Sequence, residues 1–196
     1  MSERLPQNEQ KTQSYTIEPA TPGDAEGITY VQINTWVATY VNEAMDITEE
    51  AIRERFYGKD GELFREKIER GKKRIANSQY GVYVAKQGDK IVGFASPRYD
   101  KEAKQQRLGA LYVSPESQGK GLGKQLLDAA INALDRSQDI YLHVVTYNEK
   151  AIGFYENNGF IKTGKDVTGS VDPLPNGVTI PEIEMKLPAI QDVVNL

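Results

Sequence analysis

Cysteine is absent from the 196 residues, and the chain has one histidine and one tryptophan. Without thiols it forms no disulfide framework, offers no thiolate to a metal and cannot pass an acyl group through a cysteine. A single imidazole leaves no zinc site built on histidine and cysteine. No apolar run is long enough to span a bilayer. Blocks of like charge are missing too: 24 Lys and Arg stand against 28 Asp and Glu, a formal charge of -4. That balance gives no reason to expect nonspecific binding to nucleic acid or membrane, and no basic stripe or recognition motif stands out. The expectation is a cytoplasmic protein that binds neither nucleic acid nor membrane and holds no metal.

What is present suits one folded domain, with 39% hydrophobic and 27% charged residues. Residues 1–13 are polar, contain Pro6 and lack the apolar core of a signal peptide, so a disordered tail is expected before a single domain over 14–190. A strand is expected at 15–18, closed by Pro19 and Pro22. Asp24 then stands where it could cap a helix bearing Ile28, Val31, Ile33, Trp36, Val37 and Tyr40. A second helix starts at Thr48 with Ala51, Ile52 and Phe56 on its apolar face, and a third, highly charged segment carries Leu63, Phe64, Ile68 and Ile75.

The hydrophobic period then changes to two. Strands are expected at 80–85 and 90–96 around a tight turn at 86–89, with Pro97 ending the second and a polar loop at 100–106. The stretch 108–127 follows. Its run Leu-Gly-Ala-Leu-Tyr-Val ends at Val113, a proline turn intervenes, and a glycine-dense segment opens into a helix with Leu126, Leu127, Ala130, Ile131 and Leu134 on one face. Gly119, Gly121 and Gly123 leave the backbone bare of Cβ atoms where the helix begins. Unpaired amides and the positive end of the helix dipole favour an anion there, a phosphate or pyrophosphate, and Lys120 and Lys124 add charge of the right sign.

Two well-known phosphate loops fail the test. A Walker A loop needs Gly, four residues, Gly-Lys and a hydroxyl, but Gln118 and Gln125 stand where its first glycine and its hydroxyl belong. The dinucleotide fingerprint fails on glycine spacing. What remains is Gln-x-x-Gly-x-Gly from Gln118 to Gly123. After the helix over 119–135 comes an apolar strand at 140–146, which makes a crossover between parallel neighbours. Then Asn148 precedes Ala151, Phe154 and Tyr155, and Gly159-Phe160 closes the segment.

These two motifs, in order and one crossover apart, resemble the GCN5-related N-acetyltransferase (GNAT) superfamily. The resemblance implies an α+β fold, a mixed and mostly antiparallel sheet of about seven strands flanked by helices, with the fourth and fifth strands splayed. Acetyl-CoA would be the co-substrate. Its arm would lie along the backbone of Leu111, Tyr112 and Val113, and its pyrophosphate on the amides of Gln118, Gly119, Lys120, Gly121, Leu122, Gly123 and Lys124. Asn148 would meet the arm, and Tyr155 would serve as general acid to the departing thiolate. Family members often use a glutamate base on the fourth or fifth strand. Here the fourth has no acid, while Leu142-His143-Val144 resembles the Leu-Glu-Val of the ribosomal-protein acetyltransferase branch, twelve residues before Tyr155. His143 is therefore a candidate base, with a satisfied structural histidine as the alternative.

In this fold the acceptor groove is lined by the loops at 41–47 and before the last strand at 183–187. Glu43, Asp46, Asp172 and Glu182 lie in or beside them and favour a cationic acceptor. The helix with Trp36 and Tyr40 resembles that of bacterial polyamine acetyltransferases; amino-acid, peptide and antibiotic amines remain open. The irregular loop at 169–181 suits a lid or a homodimer contact. Two functions compete: direct acetyl transfer to a small-molecule or peptide amine in a ternary complex, and a catalytically idle acyl-CoA-binding module.

Overall fold

A computed structural model describes residues 14–169 and 171–190, so the tail expected over 1–13 lies outside the described residues. Seven strands form one sheet: β1 (Thr16–Pro19), β2 (Tyr83–Gln87), β3 (Lys90–Asp100), β4 (Gln105–Val113), β5 (Ile140–Val145), β6 (Ile161–Asp166) and β7 (Glu182–Leu187). Their order is β1-β2-β3-β4-β5-β7-β6, and every pairing is antiparallel except β4 with β5. The helices are α1 (Ala25–Tyr40), α2 (Glu49–Tyr57), α3 (Glu62–Ala76), α4 (Leu122–Asn132) and α5 (Glu149–Glu156). Among the described residues no helix is long and apolar enough to cross a membrane.

The sheet is buried on both faces. Leu122, Leu126, Leu127 and Ala130 of α4 pack with Val92, Ala95, Leu142 and Met185 on one side. On the other, Ile28 and Val31 of α1 meet Val82, Val84 and Phe94, while Ile33 and Trp36 join Ile47, Ile52, Phe56 and Val145. Burial of these side chains is what sets the register of the central strands, because a slip by one residue would turn each apolar set outward.

Three sequence expectations change. Asp24 does not cap α1 through its side chain; its carboxylate accepts from Thr21 N at 2.7 Å and pairs with Lys86 Nζ at 3.0 Å. Pro97 does not end β3, which runs on to Asp100. The register shifts between Ser96 and Pro97, and such a bulge tolerates a residue without an N–H. β6 stands where no strand is expected: all six of its residues are exposed, which erases the alternation that marks a half-buried strand. Thr48 and Asn148 cap α2 and α5, each side chain accepting from the amide three residues on at 3.1 Å.

Candidate active site

β4 and β5 touch as partners only at Gln106 with Ile140 and Arg107 with Tyr141. Beyond that point β5 stays paired to β7 as far as Val145 with Glu182, while β4 continues to Val113 on its own course. The central sheet therefore opens into a wedge. Inside it lies a cavity of about 400 Å³ lined by Leu111, Tyr112 and Val113 of β4, His143 of β5, and Asn148 and Tyr155 at the two ends of α5. Gln118, Gly119, Gly121, Leu122, Gly123 and Lys124 complete it at the mouth of α4.

That mouth is built from main chain. Gly119 and Gly121 both adopt φ of 77°, a left-handed conformation that other residues take only under strain. A Cβ placed on Gly119 would meet nothing within 4 Å, so the space beside the loop is open. Among the described residues, Gln125 is the first amide of the helix to reach a backbone carbonyl, that of Gly121 at 3.2 Å. Its predecessors keep their hydrogens for an outside acceptor. Gln118 holds the loop in place: its Nε2 donates to Val113 O at 3.1 Å and its Oε1 accepts from Lys150 Nζ at 2.6 Å.

The lysines are less committed to the cavity than the sequence implied. Lys120 turns to Tyr15, donating to its hydroxyl at 2.7 Å, and does not line the cavity. Lys124 lines it while pairing with Asp128. Thr35 and Thr39 of α1 line it too, and no motif announced them. Thr35 is the one of interest, because its hydroxyl is buried and lacks a hydrogen-bond partner among the described residues.

Residues 78–162 match the acetyltransferase (GNAT) domain family. That stretch is similar to a GNAT domain. Relatives of the chain include the spermine/spermidine N(1)-acetyltransferase of Bacillus subtilis strain 168, 38% identical over 94 residues covering 43% of this chain and 60% of that one. The peptidyl-lysine N-acetyltransferase YjaB of Escherichia coli K12 is 35% identical over 74 residues, covering 36% and 48%. The chain thus spans about half to three fifths of the length of these curated relatives. Among solved structures, the PaiA N-acetyltransferase of Thermoplasma acidophilum in complex with coenzyme A gives a TM-score of 0.63 at 23% identity, covering 89% of this chain and 99% of that one. At that identity the likeness speaks for the GNAT fold.

Electrostatics divide the wedge into two zones. At its closed end, buried Arg107 meets buried Glu184 of β7 at 3.4 Å and donates to Gln105 Oε1 at 2.9 Å. Its Nε lies 3.1 Å from Asp100 Oδ2, without the alignment of a hydrogen bond. Arg107 also donates through Nη1 to His143 Nε2. A guanidinium is always a donor, so the lone pair of the neutral imidazole sits on Nε2 and is engaged there. Burial and the Arg107 charge hold His143 below its ordinary titration range, against the opposing pull of Glu184.

This shift has a pH consequence. The unfolded imidazole binds a proton near pH 6.5 and the folded one only at lower pH, so the unfolded state holds more protons in between. The contribution of His143 to stability is present above about pH 6.5 and is lost as pH falls through the folded pKa. Urea midpoints measured from about pH 7 to pH 5 are expected to fall less steeply in His143→Gln than in the wild type.

The wide end of the wedge is aromatic. Trp36 Nε1 donates to Tyr112 Oη at 2.9 Å, and Tyr147 Oη donates to Tyr40 O at 2.7 Å. Burial, with the neighbouring Tyr112, pushes the Tyr155 phenol far above its ordinary value. Burial raises Tyr40 and Tyr112 as well, and both feel the charge of Glu182. None of the four acids the sequence singled out lines the cavity; Glu182 is the one whose charge Tyr40 and Tyr112 feel, whereas Glu43, Asp46 and Asp172 are exposed. The loop at 169–181 is pinned to its own chain: Leu174 and Ile180 are buried, and Asn176 Nδ2 donates to Asp46 O at 2.9 Å.

Proposed function

We propose that this chain transfers an acetyl group from acetyl-CoA to a primary amine, directly within a ternary complex. The observation that carries the reading is the wedge between β4 and β5, which joins an open strand edge, a bare helix mouth and the buried Tyr155 phenol in a single cavity. The residues fit the co-substrate. An extended arm can add to the free edge of β4 through the backbone of Leu111, Tyr112 and Val113. A pyrophosphate matches the amides at the start of α4, where the glycines leave room for it. Asn148 spends its Oδ1 on capping α5 and keeps its amide hydrogens for the arm.

Acetyl-CoA supplies an activated thioester carbonyl. Attack by the amine forms the C–N bond and breaks the C–S bond, leaving a thiolate and a protonated amide nitrogen that must lose a proton. Tyr155 stays protonated throughout the working pH range, since its pKa is raised. Full transfer of its proton to a thiolate of ordinary pKa, about 8.5, would run uphill. Its role is therefore a hydrogen bond to the departing sulfur, and the proton that finally neutralises the thiol comes from the amine by way of solvent. Thr35 offers its unpartnered hydroxyl to the acceptor side of the same cavity.

His143 is poorly placed as the base. Taking a proton at Nε2 would break its bond to Arg107 and set two cations side by side. That engagement favours a second reading, an acyl-CoA-binding module without turnover. For the acceptor, the relatives named for spermine and spermidine and the reach of Glu182 to the phenols support a polyamine.

One assay tests these together: thiol release from acetyl-CoA is followed against polyamines, amino acids, peptides and neutral amines, with coenzyme A binding measured by calorimetry. The expected outcome is binding, turnover, a kcat/KM for polyamines at least about tenfold above that for neutral amines, and a His143→Ala variant within about tenfold of wild-type rate. Binding with no release from any amine selects the module. Turnover without preference for cations removes the polyamine.

A further inference from the structure

The geometry points to a second ligand site, for a small anion carrying two or more phosphate groups, in a cleft between α1 and α3. This cleft encloses about 320 Å³ and shares no lining residue with the cavity between β4 and β5. Arg55, Lys67, Arg70 and Arg74 line it, and among the described residues no carboxylate does. A chain whose formal charge is -4 has gathered four cations around one concavity.

Little on the protein answers that charge. Arg70 has an exposed partner, Glu66, at 3.6 Å. Arg55, Lys67 and Arg74 form no ion pair among the described residues; Arg55 Nη1 instead donates to the carbonyls of Asp172 at 2.7 Å and Pro173 at 3.0 Å. Two of the cations are held over aromatic rings, Arg55 at 5.7 Å from the Trp36 centroid and Lys67 at 5.0 Å from that of Phe56. Such contacts fix the position of a charge without neutralising it. Half-buried Lys67 is accordingly pushed below its ordinary pKa, by desolvation first and by Arg55 and Arg70 next.

The spacing selects the class of ligand. Lys67, Arg70 and Arg74 recur at three and four residues along α3, which puts them on one face over a length of about 10 Å. A lone phosphate reaches only one or two of them, whereas a di- or triphosphate can meet the whole row. Three of the four cations are arginines, whose forked donors match phosphate oxygens two at a time. The aromatic faces are already covered by Arg55 and Lys67, so the cleft recognises the phosphates and has no free ring on which to stack a base.

Trp36 lines the cleft and is the sole tryptophan of the chain, so it reports on occupancy without a label. Tripolyphosphate is titrated at fixed ionic strength with saturating coenzyme A present, so that the α4 mouth is not available, and binding is read by Trp36 fluorescence and by calorimetry. No turnover is required, so the result does not depend on whether the chain transfers acetyl groups. Saturable binding is expected in the wild type, weakened at least about tenfold in a Lys67→Gln, Arg70→Gln, Arg74→Gln variant that keeps its coenzyme A affinity. If that variant does not fold, the exposed Arg70→Glu replaces it, and weakening of at least about threefold is the supporting result. No saturable binding to wild-type protein, or equal affinity in the variants, overturns the site.

Discussion

Replacing Tyr155 with phenylalanine is expected to lower kcat about 100- to 1,000-fold while coenzyme A affinity changes by less than about threefold. The ring stays, and with it the edge-on packing against Phe154 at 5.4 Å and Phe160 at 5.5 Å, so the fold is not disturbed. Only the hydroxyl is lost, and with it the donor that the proposed mechanism sets against the sulfur as the C–S bond breaks. An interaction made chiefly in the transition state shows in kcat more than in binding. Because the phenol titrates far above its usual range, the wild-type rate should show no alkaline fall attributable to Tyr155 below about pH 10. Stopped-flow thiol release across pH, for both proteins, checks both statements. An unchanged kcat in Tyr155→Phe would remove the phenol from the chemistry.

Arg107→Ala is expected to cost about 3–5 kcal/mol of stability, enough to lower the melting temperature by roughly 6–20 °C in a chain of this size. Arg107 is 5% exposed and Glu184 4%, and they meet where β4 and β5 part. Removing the guanidinium leaves the Glu184 carboxylate buried with weaker partners, the 3.4 Å contact from Thr163 Oγ1 among them. The penalty is the stranded charge more than the lost attraction. The double variant Arg107→Met, Glu184→Met should therefore recover a large part of the loss. Denaturant unfolding of the two single variants and the double variant measures this directly; equal losses in single and double variants would mean that packing, not charge, holds the closed end of the wedge.

Much of the site could be read along the chain because its recognition chemistry is local. Gly119 to Lys124 form one helix mouth, and bare amides follow from glycine at fixed offsets with no help from distant residues. Asn148 and Tyr155 belong to a single short helix, so their spacing in sequence is nearly their spacing in space. β6 was not legible, since Ile-Lys-Thr-Gly-Lys-Asp has no buried face to impose a period. Pro97 misled for a related reason: whether a proline ends a strand or sits in a bulge depends on the partner strand.

The sequence by itself determined the order of elements apart from β6, the anion-binding helix mouth, the crossover that makes β4 and β5 parallel, and the placing of a tyrosine one helix beyond it. These rest on interactions within a few residues of one another. Only the tertiary structure decided that β4 and β5 separate after two paired residues, that Arg107 engages the imidazole of His143, that the charge of Glu182 is felt at Tyr112, and that four cations converge beside Trp36. Charges and hydrogen-bond donors far apart in the chain acquire partners only through packing. The character of a histidine or a basic face is therefore set by the neighbours that burial brings to it.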